Sequence, residues 1–372
     1  MPAAQSSRLT SLDAFRGLTV ASMMLVNNPG SDPVYTQLDH AAWSGWTFTD
    51  TIFPFFLWIM GVALTLSTAK RIQEGADRGK LLLHVLRRSL LLYAFGLFLA
   101  GFPYFHLAHI RIPGVLPRIA VCYLVASLIF LYTGWRAQIA SIIVLFSSYW
   151  LLMTLAPLPC SGVDRFDVNC NFARYVDGLF LSGHMWGHTK VWDPEGIVST
   201  LPAIGTTLFG VLTGHLLGMK LQPARRTAHL AAQGVALVAI GELLSVWMPI
   251  NKSLWTVPYA TLMAGLASLE FAAFYWVADV RGYKRWMKPL VIYGSNAIAV
   301  FVLSGIVGRL LGLIQVIAPN GTRESLGSRI YEACFAPLAA PINASLLYAI
   351  AIVLLFFLIS WLLYWRRWFL RL

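Results

Sequence analysis

Runs of mostly apolar residues, each long enough to cross a bilayer as a helix, recur along the whole of this chain. A helical span needs about 20 such residues. About ten runs qualify, near 11–28, 51–69, 82–102, 115–133, 137–157, 198–218, 227–248, 257–278, 289–317 and 344–365. In hydrocarbon every backbone polar group must be satisfied internally, so runs of this length are read as helices. Composition agrees: 12% of the 372 residues are charged and 58% are hydrophobic, with a mean hydropathy of +0.67. Soluble domains carry about 25% charged residues. The chain therefore reads as an all-α polytopic transmembrane helical bundle of about ten spans, one domain over 1–372 with a polar loop at 158–197.

The run at 289–317 is longer than one span and is expected to kink or break at Gly305 and Gly308. The stretch 319–342 is polar and contains prolines, which places it at the surface with a short interfacial helix. No internal repeat of the transporter kind stands out. The first run carries Asp13 and Arg16 and has no small-residue cleavage site after it. It is expected to stay in the mature protein.

The net charge of +12 follows from topology. Lys70, Arg71, Arg78, Lys80, Arg87 and Arg88 flank one loop, Lys220, Arg225 and Arg226 a second, and Arg281, Lys284, Arg285 and Lys288 a third. Arg366, Arg367 and Arg371 form the tail. With an even span count these share a side with Arg8 and Arg16, which the positive-inside rule makes cytoplasmic. Both termini are then cytoplasmic. The opposite side gathers Asp32, Asp39, His40 and Asp50, then His106, His109 and Arg111, then 158–197, Asn251-Lys252 and 319–342. There is no glycine-rich phosphate loop and no aromatic–basic pattern of a nucleic-acid binder, so nucleic acid is set aside as a partner.

The chemistry-bearing residues concentrate between the first two runs, in Asn27-Asn28-Pro29-Gly30, Leu38-Asp39-His40-Ala41-Ala42-Trp43 and Asp50. A neutral imidazole at His40 can accept a proton or act as a nucleophile. Asp39 and Asp50 are candidate orienters, and Asn27 or Asn28 can donate to an oxyanion. The same residues also read as an ordinary turn-containing loop with a solvated histidine.

Elsewhere, Asp13 and Arg16 are spaced i, i+3 and suit an ion pair. Glu242 and Glu270 fall within apolar runs, where carboxylates are costly: they line a polar path or are protonated and hydrogen-bonded. Arg111 and Arg118 are two helical turns apart and either snorkel or grip an anionic group. Asp193-Pro194-Glu195-Gly196 reads as the start of the sixth span, with Asp as cap and Pro at the first helical position. His184 and His188 have i, i+4 spacing but no third ligand is fixed nearby, and no metal site is assigned. Cys160 and Cys170, in one polar loop, form a disulfide if that loop faces an oxidising compartment and are free thiols otherwise.

Several of these segments match a known pattern. Arg8-Leu-Thr-Ser-Leu-Asp13-Ala-Phe-Arg16-Gly17 with Leu25-Val26-Asn27 resembles the first block of the heparan-alpha-glucosaminide N-acetyltransferase family. His40-Ala-Ala-Trp43-Ser-Gly45-Trp-Thr, Asp50 and Phe53-Pro54-Phe-Phe-Leu-Trp-Ile-Met60-Gly61 resemble its second. Arg111-Ile-Pro-Gly-Val-Leu-Pro-Arg118, Asp193-Pro-Glu-Gly196, Asn251-Lys252-Ser-Leu-Trp255 and Pro289-Leu-Val-Ile-Tyr293-Gly294-Ser-Asn296 resemble later ones, in the same order.

The resemblance implies a multi-spanning acetyltransferase that takes acetyl-CoA on the cytoplasmic face and acetylates a glucosamine-type amino sugar on the far side. It places the active histidine on His40 and its partner asparagine on Asn27, and Asp50 would orient His40 or the sugar. Asp39, Trp43, Arg111, Arg118, Glu195 and Asn296 become candidate substrate contacts. Basic residues at the cytoplasmic mouth (Arg87, Arg88 and Arg16) are candidates for the CoA phosphates. The resemblance favours a Cys160–Cys170 bridge and is compatible with a homodimer. It is similar to short bacterial members, which implies a bacterial plasma (inner) membrane with the active-site loop facing the periplasm or exterior. Asn28-Pro29 replaces a more glycine-rich stretch, which bears on loop shape and acceptor choice. An amino-sugar membrane transporter is the alternative that a polar-lined bundle equally suits.

Overall fold

The computed structural model describes residues 9–160, 164–319 and 321–369; Arg8 and Arg371 lie outside them. The helices are α1 (Thr10–Asn27), α2 (Phe48–Gln73), α3 (Arg78–Gly101), α4 (Val115–Tyr132), α5 (Trp135–Leu155), α6 (Phe172–Phe180) and α7 (Thr200–Gly218). They continue with α8 (Pro223–Leu244), α9 (Val257–Tyr275), α10 (Lys284–Gly294), α11 (Ala297–Leu313), α12 (Leu326–Cys334) and α13 (Pro341–Trp365). A small antiparallel ribbon, β1 (Gln315–Ile317) with β2 (Arg323–Ser325), pairs Val316 with Glu324. The protein is an all-α polytopic membrane protein.

Among the described residues eight helices are long and apolar enough to cross a membrane, and α10 with α11 makes a ninth if that bent pair is one span. The remaining expected run is α1, an 18-residue helix that carries Asp13 and Arg16. The expected break at Gly305 and Gly308 is not where the chain bends. Both glycines lie inside α11, and the 55° bend falls between Gly294 and Ala297. There the Asn296 Nδ2 donates to the Trp368 carbonyl at 3.0 Å, a partner 72 residues away that local sequence does not reveal. The 319–342 stretch supplies part of the ribbon and the short helix α12.

The chain divides into two compact units. The first holds the described residues up to His40, then Thr47–Ile52, and those from Phe271 onward. Here α1 packs on α10 and α13. Its contact with α10 is a backbone approach. A Cβ at Gly17 would sit 1.8 Å from the Leu290 carbonyl oxygen, and one at Gly294 would sit 2.5 Å from that of Asp13. Arg16 ties the pair, donating from Nε to the Gly294 carbonyl at 2.8 Å while Nη2 meets Asp13 Oδ1 at 2.6 Å. Phe15 fills the adjoining space against Phe271 and Phe274.

The second unit holds Ala41–Trp46 and Phe53–Glu270. α3 lies on α4, and α7 is packed by α4, α5 and α8. The α2–α7 crossing depends on Gly61 and Gly210, where an added Cβ would lie 2.0 Å from the Thr207 and Trp58 carbonyl oxygens. Small residues at such crossings replace the hydrophobic drive that lipid does not supply with close packing. The core around them is built from Leu57, Leu64, Val85, Tyr123, Leu208, Val211 and Tyr259. Leu83 and Leu90 of α3, Ile143, Val144 and Leu151 of α5, and Val235 and Leu243 of α8 are exposed. Such apolar exposure suits a lipid-facing surface.

Candidate active site

The segment after α1 is tied down within the first unit. α1 ends at Asn27, whose side chain is exposed, and Asn28 Nδ2 donates back to the Met24 carbonyl at 2.8 Å. The Gly30 and Ser31 amides both donate to Ser345 Oγ of α13, at 3.1 and 3.2 Å. Gly30 has no room for a side chain, since a Cβ would lie 2.4 Å from the Tyr331 ring. Tyr35 donates to Asn343 Oδ1 at 2.5 Å. A 3-10 turn, Thr36–Leu38, then delivers Asp39 and His40.

α2 begins with the pattern Thr47-Phe48-Thr49-Asp50. The Thr47 amide donates to Asp50 Oδ2 at 3.0 Å, the reach-back of a capping box. Gln37 takes two further groups of this first turn, its Oε1 accepting from the Phe48 amide at 3.0 Å and its carbonyl from Thr49 Oγ1 at 3.2 Å. Thr47 Oγ1 lies 2.5 Å from the Asp39 carbonyl and 3.2 Å from Asp50 Oδ2. Asp50 is 1% exposed, and its other oxygen, Oδ1, meets His40 Nδ1 at 2.6 Å. The carboxylate sits at a helix N-terminus, where negative charge is favoured. One carboxylate thus caps α2 and holds an imidazole.

The consequence is a fixed tautomer. An ionised Asp50 accepts from Nδ1–H, so the neutral ring keeps its basic lone pair on Nε2. The ring itself is half exposed. The His40 amide also donates to Asp39 Oδ1 at 2.7 Å, which fixes the backbone beneath it. This His–Asp–Thr arrangement has the order of a general base with its orienter.

A second polar cluster lies in the second unit. Arg111 forms a fork on Asp193, Nε to Oδ2 at 2.8 Å and Nη2 to Oδ1 at 2.6 Å, and Nη2 also meets Glu195. The Asp193 carboxylate further accepts the Trp186 and Glu195 amides, each at 2.9 Å. Burial opposes the Arg111 charge, but the bonds and charges of Asp193 and Glu195 more than offset it and raise its pKa. Asp177 Oδ1 accepts from the Ile197 amide at 3.0 Å and Oδ2 from that of Asp193 at 3.2 Å. Burial pushes the Asp177 carboxyl up to about 6, against the pull of those two N–H donors. A side chain at Gly196 would meet this carboxylate at 2.1 Å.

Two expectations about this region are corrected. Asp193 does not open the sixth span: α7 starts at Thr200, and Asp193 and Glu195 lie in the loop before it, where Arg111 binds both. Arg111 and Arg118 do not share a helical face either. Arg111 precedes Gly114, whose φ of 148° separates it from α4, and Arg118 lies within that helix. Arg118 is 2% exposed, lies over the Trp255 ring at 5.1 Å, donates to the Gly196 carbonyl at 3.1 Å and also bonds Ser199.

The other candidates are placed as follows. Trp43 donates to the Phe166 carbonyl at 2.8 Å and meets Trp192 edge-on. Asn296 is buried at the α10–α11 bend. Arg87 is exposed on α3, and Arg88 lies over Tyr123 at 4.8 Å. Arg16 is engaged by Asp13 and Gly294. Glu242 is exposed in the last turn of α8 and Glu270 half-buried in α9. His184 Nδ1 is 2.8 Å from the Ile110 carbonyl, and His188 is against Trp186. Cys160 and Cys170 are joined, with Cα atoms 6.4 Å apart. Sequence reading passed over Thr47, Gln37 and Asp177. Thr47 was readable from its three-residue spacing to Asp50; Gln37 and Asp177 act through distant backbone amides that no local pattern announces.

Residues 8–248 match the family described as heparan-alpha-glucosaminide N-acetyltransferase, catalytic. The human heparan-alpha-glucosaminide N-acetyltransferase is 31% identical over 356 residues, covering 79% of this chain and 52% of the human protein. The mouse protein of the same name is 28% identical over 359 residues, covering 80% of this chain and 53% of its own. The chain spans about half the length of these curated relatives. His40, Asp50, Arg111, Asp193 and Glu195 all fall within the matched residues, and the chain belongs to the heparan-alpha-glucosaminide N-acetyltransferase catalytic family.

Proposed function

We propose that this protein transfers an acetyl group from acetyl-CoA to the amine of a glucosamine-type sugar, with His40 as the general base. The observation that carries this reading is the 2.6 Å contact between His40 Nδ1 and the buried Asp50 carboxylate, in a chain whose named relatives are N-acetyltransferases.

In this reading His40 Nε2 removes a proton from the sugar amine as its nitrogen attacks the thioester carbonyl. The new C–N bond forms and the carbonyl becomes an oxyanion, to which the Asn27 side-chain amide donates. Collapse breaks the C–S bond, and the imidazolium returns its proton to the departing thiolate. Asp50 stabilises the imidazolium between these steps and keeps the ring in its working tautomer. The same Nε2 can instead take the acetyl group first and pass it to the sugar. Acetyl-CoA added without sugar distinguishes the routes: an acetyl group on His40, found by mass spectrometry, marks the second.

The sidedness rests on charge. The basic loops lie together on one face of the expected topology, which supports a cytoplasmic origin for acetyl-CoA and an exterior position for His40. Arg87 and Arg88 are the proposed phosphate contacts. The supporting experiment is turnover by purified protein: free CoA and N-acetylated sugar should appear in equal amounts. Specific acetyl-CoA binding that is absent from the purified protein would sink the proposal.

A further inference from the structure

Residues between α5 and α7 line an open pocket of about 360 Å3, formed from residues 158–160 and 169–171, α6 and residues 182–191. That volume lies in the range of small-ligand pockets. Its charge is one-sided. Arg174 and Lys190 line it, and no Asp or Glu does so among the described residues. Neither cation has an ion-pair partner among the described residues, unlike Arg111, which precedes α4 and pairs with Asp193 and Glu195.

The Arg174 guanidinium is held by a side-chain bond, and Lys190 is fixed through its backbone. Arg174 sits in the first turn of α6, its amide donating to Asn171 Oδ1 at 2.8 Å and its Nη1 to the Val168 carbonyl at 3.2 Å. Lys190 has a left-handed backbone, φ 61°, and its amide donates to the Trp186 carbonyl at 2.9 Å. A lysine at positive φ is uncommon and is retained where surroundings fix it. Here Trp186 is itself anchored by Asp193. The nearest carboxylates in sequence are engaged elsewhere: Asp177 accepts the Ile197 and Asp193 amides, Asp193 is held by Arg111, and Asp167 takes the Asn169 amide.

The remaining lining is mixed. Asn169 offers an amide and Asn171, engaged by Arg174 and Asp167, shapes the floor, while Tyr175, Leu179 and Met185 supply apolar wall. Two cations in a concave, partly apolar site focus potential on whatever enters. We infer that this pocket binds a small organic anion, its carboxylate, sulfate or phosphate on Arg174 and Lys190 and its body against Tyr175 and Leu179. The inference is independent of acetyl transfer and is tested without acetyl-CoA.

The full chain in detergent is titrated with glucose 6-phosphate, glucuronate and neutral glucose at one ionic strength. In nanodiscs it is offered phosphatidylglycerol against phosphatidylcholine. At least one anionic probe should bind about tenfold or more tightly than its neutral counterpart, the effect of one charge-assisted hydrogen bond. Arg174→Gln with Lys190→Gln should abolish that preference, and Arg174→Lys should keep most of it. A preference among the sugars identifies a soluble ligand; one among the lipids identifies a headgroup. If the double variant does not fold, Lys190→Gln alone, at an exposed position, must lower affinity. Equal binding of charged and neutral probes, or a folded variant that keeps the preference, overturns the inference.

Discussion

The carboxylate of Asp50 joins two structures at once: Oδ1 holds His40 Nδ1 at 2.6 Å, and Oδ2 accepts the Thr47 amide at the start of α2 at 3.0 Å. The helix start and the imidazole are therefore not independent. Whatever sets the first turn of α2 also sets the ring of His40.

Asp50→Asn separates the two duties. The amide oxygen can still cap the helix, so the melting temperature should change little, by the equivalent of about 1 kcal/mol or less. The amide cannot stabilise an imidazolium, and acetyl transfer should fall by about 10²–10⁴. Thr47→Ala should do the reverse, losing about 1 kcal/mol of stability with a smaller loss of rate. Melts and turnover on both variants check the pair.

Arg111→Met leaves Asp193 and Glu195, whose side chains are 0% and 8% exposed, without their cation. Breaking one partner of such a buried pair costs about 3–5 kcal/mol. Arg111→Lys restores the charge but not the fork and should recover only part of it. Thermal melts rank the three proteins; equal melting temperatures for Arg111→Met and wild type would contradict the geometry.

Asp177 gives a pH signature. Its folded pKa, pushed up to about 6 by burial, lies above the value near 4 of an exposed Asp. The folded state thus binds the proton more tightly than the unfolded one. This favourable contribution is complete below about pH 4 and is lost as pH rises through about 6. Relative to Asp177→Asn, wild type should lose melting temperature between those limits. A constant gap across that window would show that Asp177 is ionised throughout.

Gly210→Ala tests the α2–α7 crossing. Its Cβ would lie 2.0 Å from the Trp58 carbonyl oxygen, a backbone contact that no rotamer relieves. The helices must separate, with the loss of packing on which membrane helices depend. Expected is a loss of stability of about 2 kcal/mol or more, read as a lower melting temperature in detergent.

How much of this was legible beforehand depends on the range of each interaction. The spans were readable because apolar length is a local property, and the Asp13–Arg16 pair because i, i+3 spacing is local too. The long ninth run bends not at Gly305 and Gly308 but between α10 and α11, where Asn296 bonds a carbonyl 72 residues away at Trp368. Asp193 read as a helix cap, since its own neighbours fit one, yet Arg111, 82 residues earlier, claims it. His40 and Asp50 were each noticed as chemical groups. Their juxtaposition depends on the turn at Thr36–Leu38 and on Gln37 binding the start of α2.

The most direct test of acetyl transfer through His40 uses labelled acetyl-CoA and a glucosamine-terminated acceptor with wild-type protein and His40→Ala. Wild type should form N-acetylated sugar. The variant should retain the wild-type melting temperature while losing about 100-fold or more of the rate. Undiminished turnover by folded His40→Ala would contradict the assignment. So would wild-type protein that moves amino sugar across proteoliposomes without CoA and transfers no acetyl group.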